Sequence, residues 1–178
     1  MRNVLIELIP EFNFIKDSVL KEKVLRTWEE AIQLGNWKID NLLRLPFALS
    51  IKDCPISLIE HVRGVTQVCG ESEKVLRKFY QDKIKINRDY LLAGALLHDI
   101  GKLLEYKKKK GTFIKSQLDT LLNHPFYGVI LCSKQGIPEE ILHIVAFHSK
   151  EGEGQRKTIE SKILYHADFM NFEIFCTQ

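Results

Sequence analysis

Tyr90-Leu-Leu-Ala-Gly-Ala-Leu-Leu97 is an uninterrupted apolar run that leads directly into His98-Asp99-Ile-Gly-Lys102. A helix with no polar face belongs in the middle of a bundle. Asn87 can cap this helix, and Asp89 lies in its first turn, where a negative charge is favoured. The run therefore delivers His98 and Asp99 into the interior, and Gly101 ends it. An imidazole and a carboxylate buried together are costly without partners.

Upstream, Ser57-Leu-Ile-Glu60 has the form of a capping box. It predicts a helix to about Gln81 whose buried face is Leu58, Val62, Val65, Val68 or Cys69, Val75 or Leu76, and Phe79. His61 falls on that face by helical spacing. Residues 18 to 34 predict an earlier helix, capped by Asp17 or Ser18 and ended by Gly35. Its stripe is Val19, Leu20, Val24, Trp28, Ala31 and Ile32. Pro46 and Pro55 punctuate the stretch between, which puts a boundary near residue 50.

Downstream, residues 105 to 115 predict a basic loop or a short hairpin around Gly111. Ser116 can cap a helix to Asn123, and a further helix runs from about Phe126 to Gln135. Pro138 suits the first turn of the next, which carries Ile141, Leu142, Val145 and Ala146 and ends near His148. Thr158 can cap a last helix that carries Asp168. The expectation is an all-α fold, with residues 1–50 a helical extension packing on a bundle of residues 51–178.

The chain has 178 residues, 45% hydrophobic and 28% charged, with a net charge of +3. That fits one globular domain and is too mild a charge to argue for nucleic acid or a membrane surface. The run Lys107–Lys110 reads as a solvated loop or as a rim that attracts anions. Cys54, Cys69, Cys132 and Cys176 form no C-x-x-C pair and suit a reducing cytoplasm. The opening MRNVLIELIPEF is interrupted by Glu7 and Pro10, unlike a signal peptide, and no window approaches the ~20 apolar residues of a membrane span. A soluble cytoplasmic protein is expected.

His61, His98, His124 and His148 all fall at helix ends or on buried faces, joined by Asp99 and Asp168. Six such groups need a common partner, and a metal cluster is the simplest. Imidazole and carboxylate suit Fe, Mn, Co, Zn or Mg rather than Cu(I). His143 lies five residues before His148, about 140° around a helix, and His166 is two before Asp168. Neither shares a face with its neighbour in the set. The aromatics Trp28, Trp37, Phe47, Phe79, Phe126 and Phe147 read as core.

The ordered set His61, His98-Asp99-Ile-Gly-Lys102, His124-Pro, His148 and Ala167-Asp168 resembles the HD-domain superfamily of metal-dependent phosphohydrolases over about residues 57 to 170. The resemblance implies an HD-domain helical bundle holding one or two divalent ions, Fe or Mn first, with Co, Mg, Zn and Ni also compatible. His61, His98, Asp99 and Asp168 match the ligands of one-metal members. His124 and His148 fill the places added in two-metal members, with Asp99 bridging. Lys102 matches a lysine that faces the substrate phosphate, so Asp99 and Lys102 are the expected catalytic residues.

Ser149 and Lys150 stand where cyclic-dinucleotide phosphodiesterases of the superfamily have His and Glu, and their Gly-Tyr-Pro motif is absent. Small diadenosine-polyphosphate hydrolases are more similar. The implied substrate is a nucleotide-like or small phosphorylated molecule, cleaved at a phosphomonoester, phosphodiester or phosphoanhydride. Lys134, Lys150, Arg156 and Lys157 are candidates for the border of an anion-binding cleft. A di-iron oxygenase on the same scaffold and a non-catalytic metal-bound regulatory module are the alternatives. A homo-oligomer is compatible with all of them.

Overall fold

The computed structural model describes residues 1–116 and 122–176. Its helices are α1 (Arg2–Leu8), α2 (Ser18–Leu34), α3 (Ile39–Leu42), α4 (Leu58–Tyr80), α5 (Arg88–Leu97), α6 (Lys102–Glu105), α7 (His124–Lys134), α8 (Glu139–Phe147) and α9 (Ile159–Cys176). Among the described residues, one hairpin, β1 (Tyr106–Lys109) with β2 (Thr112–Lys115), interrupts an otherwise all-α fold. Lys110 and Gly111 both have positive φ, 50° and 88°, as a two-residue primed turn requires.

α5 occupies the centre, where its apolar sequence belongs. It packs on α4, α8, α9 and α2, and every residue from Leu91 to Leu97 is buried. The Asn87 side chain accepts from Tyr90 N, and the Ser57–Glu60 capping box starts α4. Asp17 caps α2, accepting from Val19 N and Leu20 N. Asp89 reaches outward instead and accepts from the backbone N–H groups of Lys16 and Asp17.

The first 50 residues share the main core. Leu5, Ile9, Phe12, Trp28 and Phe47 belong to one buried cluster with Leu92, Leu96, Ile100 and Val145. Trp28 Nε1 donates to Leu96 O at 2.9 Å and Trp37 Nε1 to Leu103 O at 2.7 Å. These bonds satisfy carbonyls left free where α5 and α6 end. A second cluster, including Val65, Cys69, Leu91, Ile144 and Leu164, fills the α4–α5–α8–α9 contact.

Several expectations need correcting. α5 ends at Leu97 rather than Gly101, because Ile100, Lys102 and Leu103 bond three residues back and tighten the chain into a turn. α7 begins at His124, two residues before the expected start. Val19, Phe79 and Phe126 are exposed rather than core, and of Val75 and Leu76 it is Leu76 that packs, against the second cluster, while Val75 is exposed. α4 is 23 residues long, about 35 Å, and Phe79 and Tyr80 in its last turn are exposed. The helix expected from Ser116 to Asn123 lies largely outside the described residues. Among the described residues, no helix is long and apolar enough to cross a membrane.

Candidate metal centre

Six side chains from five elements converge at the C-terminal end of α5. His61 comes from the first turns of α4, and the Phe47 ring stacks on it at 4.3 Å between centroids. His98 caps the end of α5, and Asp99 follows on the tight turn. His124 is the first residue of α7, His148 caps the end of α8, and Asp168 lies within α9. His61, His98, Asp99 and His148 are buried.

Asp99 divides the cluster in two. Its Oδ2 lies 3.5 Å from His61 Nε2 and 3.4 Å from His98 Nε2. Asp168 Oδ1 closes that set, 3.1 Å from His61 Nε2 and 3.7 Å from His98 Nε2. The other oxygen, Oδ1, lies 3.3 Å from His124 Nε2 and 3.6 Å from His148 Nε2. His61 and His98 face each other at 3.3 Å between Nε2 atoms, and His124 and His148 at 3.1 Å.

Five of these eight separations, 3.1–3.4 Å, are those of two donors on one ion, and the pairs at 3.5–3.7 Å need an angle slightly wider than tetrahedral. Two donors bonded to one ion at about 2.1 Å sit about 3.0–3.4 Å apart for right-angle to tetrahedral geometry. The hydrogen bonds around the rings agree. His98 Nδ1 is 2.7 Å from Ala95 O and His148 Nδ1 is 2.8 Å from Val145 O. A carbonyl only accepts, so each Nδ1 carries the proton and each Nε2 presents a lone pair inward. His124 Nδ1 is likewise held, 3.1 Å from Glu105 Oε2. The His124 and His148 lone pairs thus point at one another, an arrangement that a cation between them would relieve. The sets His61–His98–Asp99 and Asp99–His124–His148 can each hold a metal ion.

Charge within the cluster follows from burial and pairing. Burial holds the pKa of His61 and of His124 below the ordinary imidazole value. Burial opposes the charge on His98 too, but Asp99 and Asp168 outweigh it and raise that pKa. For Asp99, burial is outweighed by Lys102 and His98, so its carboxyl titrates well below the usual range. His61 Nδ1 is buried without a hydrogen-bond partner.

Lys102 lines the cavity over the cluster. Its Nζ donates to Asp99 Oδ2 at 2.6 Å and to Phe47 O at 2.8 Å, which uses two of its three N–H groups. A cavity of about 410 Å³ opens over the cluster, lined also by Phe47, Glu105, Tyr106, Lys150, Phe169 and Phe172. Of the basic residues considered for its border, Lys150 lines it and Lys107–Lys110 do not. Lys134 pairs with Glu30, and Arg156 lies over the Tyr165 ring. His143 accepts from Lys157 N, and His166 is exposed, so neither joins the cluster.

Two participants escaped the sequence. Glu105 is a buried acid among Leu103, Leu104 and Tyr106, a setting that could have marked it. Phe47 reads as one more core aromatic, and only the folded chain lays it on His61.

The chain matches the HD domain family over residues 58–170. It is 33% identical over 166 residues to the dihydroneopterin 2',3'-cyclic phosphate phosphodiesterase of Methanocaldococcus jannaschii, an alignment covering 86% of this chain and 63% of that protein. The chain thus spans less than two thirds of that relative's length. No solved structure matches it. The converging histidines and aspartates all lie within the matched residues, and the chain belongs to the HD domain family.

Proposed function

We propose that this protein is a metal-dependent phosphohydrolase acting on a small phosphoester, with cyclic phosphodiesters the first class to test. The observation that carries the reading is the Asp99 carboxylate, whose two oxygens each face a separate set of imidazole nitrogens. His61, His98, Asp99 and Asp168 would hold one divalent ion, and Asp99, His124 and His148 a second. The imidazoles suit Fe, Co, Zn or Ni and the carboxylates Mn or Mg, with Fe and Mn the first to test on this mixed set. Such ions supply an acidified water and positive charge for the phosphoryl oxygens.

The protein's own contribution is orientation and charge. The Nδ1 bonds of His98, His124 and His148 keep their Nε2 atoms aimed inward. Lys102 holds Asp99 in the rotation that serves both sets and adds a positive charge beneath the cavity floor. Phe47, Phe169 and Phe172 limit the water that reaches the reacting phosphorus, and Lys150 stands where an anionic substrate would enter. Opening a cyclic phosphodiester consumes one water: a P–O bond forms to it, one ring P–O bond breaks, and its proton passes to the released alkoxide. Residues 1–50 act in this reading as the extension that closes the core of residues 51–178.

The relative named for a 2',3'-cyclic phosphate supports this substrate class through its identity along the chain. The test is elemental analysis of the purified protein, followed by a panel of cyclic phosphodiesters, phosphomonoesters and dinucleoside polyphosphates with Mn, Fe, Co or Mg. Ester hydrolysis without oxygen is expected, with Asp99→Asn lowering it at least about 100-fold. Turnover that requires oxygen, or wild-type protein that binds no metal, would overturn the proposal.

A further inference from the structure

The geometry points to Glu105 as the positioning residue of the second ion set, anchoring His124 at its backbone and its ring together. This inference rests on the two-set metal reading above. α7 starts abruptly: His124 is its first residue, the Asn123 side chain makes no cap bond, and Pro125 follows with no N–H to offer. Glu105, on α6, supplies the missing cap from another element. Its Oε2 accepts from His124 N at 2.8 Å and lies 3.1 Å from His124 Nδ1.

One carboxylate oxygen thus fixes both where the residue sits and which way its ring turns. With Nδ1 committed there, Nε2 faces Asp99 Oδ1 and His148 Nε2. Among the histidines of the cluster, His98 and His148 have backbone carbonyls behind them and His61 Nδ1 has no partner. His124 is the one backed by a carboxylate, the partner that most raises the donor strength of the opposite nitrogen. The reinforcement falls where it is needed. Among the described residues, the set on Asp99 Oδ2 draws on His61, His98 and Asp168, whereas the set on Oδ1 has two imidazoles besides Asp99. Glu105 is itself fixed by burial, with its Oε1 3.4 Å from Lys115 Nζ on β2.

A merely structural cap and a ring anchor predict different outcomes. Metal-free wild type, Glu105→Gln, Glu105→Ala and the double variant Glu105→Ala/Asn123→Asp would be titrated with Mn²⁺ by calorimetry and with Co²⁺ by visible absorption. Wild type takes two equivalents. Both single variants keep the first within about twofold and bind the second about 10–100-fold more weakly. In the double variant, the new carboxylate at the residue before α7 can cap that helix locally, so the melting temperature of the metal-free protein recovers while the second equivalent stays weak. Unchanged binding of both ions in Glu105→Ala, or recovery of the second ion in the double variant, would sink the positioning role. Wild type that takes up no second ion would overturn the two-set reading itself, and that is visible before any variant is made.

Discussion

At Asp99, burial would push the carboxyl pKa up, and Lys102 at 2.6 Å with His98 at 3.4 Å holds it down instead. Asp168 and Glu105 are lowered as well, against the same burial, by His61 and by His124 respectively. A lowered carboxylate lends stability above its unfolded pKa of about 4 and loses it as pH falls through the folded value. His61 and His124, lowered by burial, act in the same direction from about pH 6.5 downward, because the unfolded chain binds their protons more readily. His98, raised, opposes them in part. The chelated, metal-free protein should therefore lose stability in steps on acidification, beginning near pH 6.5 and steepening near pH 4. Urea midpoints measured from pH 8 to pH 3 check this, and a flat profile between pH 7 and pH 5 would contradict it. Residue types at the cluster were legible from order alone. The partner of Lys102 was not, because a flexible side chain's target depends on which carboxylate folding brings within reach.

The turn from α5 into α6 brings His98 and Asp99 to the head of α7, and Gly101 lets the two segments touch. A Cβ there would lie 1.9 Å from His124 O and 2.7 Å from Gly128 N. The φ of Gly101 is −64°, so the need is for space and not for an unusual backbone. Gly101→Ala should force α7 outward, costing about 1–3 kcal/mol of stability as overpacking does, and it should displace His124 from Asp99. Thermal denaturation reads the first effect, and titration of the second metal equivalent reads the other. The sequence offers Gly101 as a helix stop, and the steric reason emerges only when α7 is laid against it. The boundaries of α2 and α4 were legible because their caps are local hydrogen bonds. The start of α7 was not, because its cap, Glu105, comes from α6.

Across the whole molecule, residues 1–50 and the later helices share one apolar cluster. Trp28 and Trp37 donate their indole N–H groups to Leu96 O and Leu103 O beside the histidine–aspartate cluster, and Phe47 supplies both a ring to His61 and a carbonyl to Lys102. A fragment starting at residue 51 should retain helix but lose fixed packing. Near-UV circular dichroism would collapse and dye binding to exposed apolar surface would rise; a cooperative melt in that fragment would show the extension to be dispensable. The amino-acid sequence by itself determined the helical class, the caps, the central place of α5 and the six chemically matched side chains. Those features follow from periodicity, local bonding and the cost of burying polar groups. Only the tertiary structure decided that Phe47 lies on His61, that Glu105 stands behind His124, and that Val75 and Phe79 meet solvent. Each of these depends on which segments lie against which, and contacts between residues distant along the chain leave no periodic trace in it.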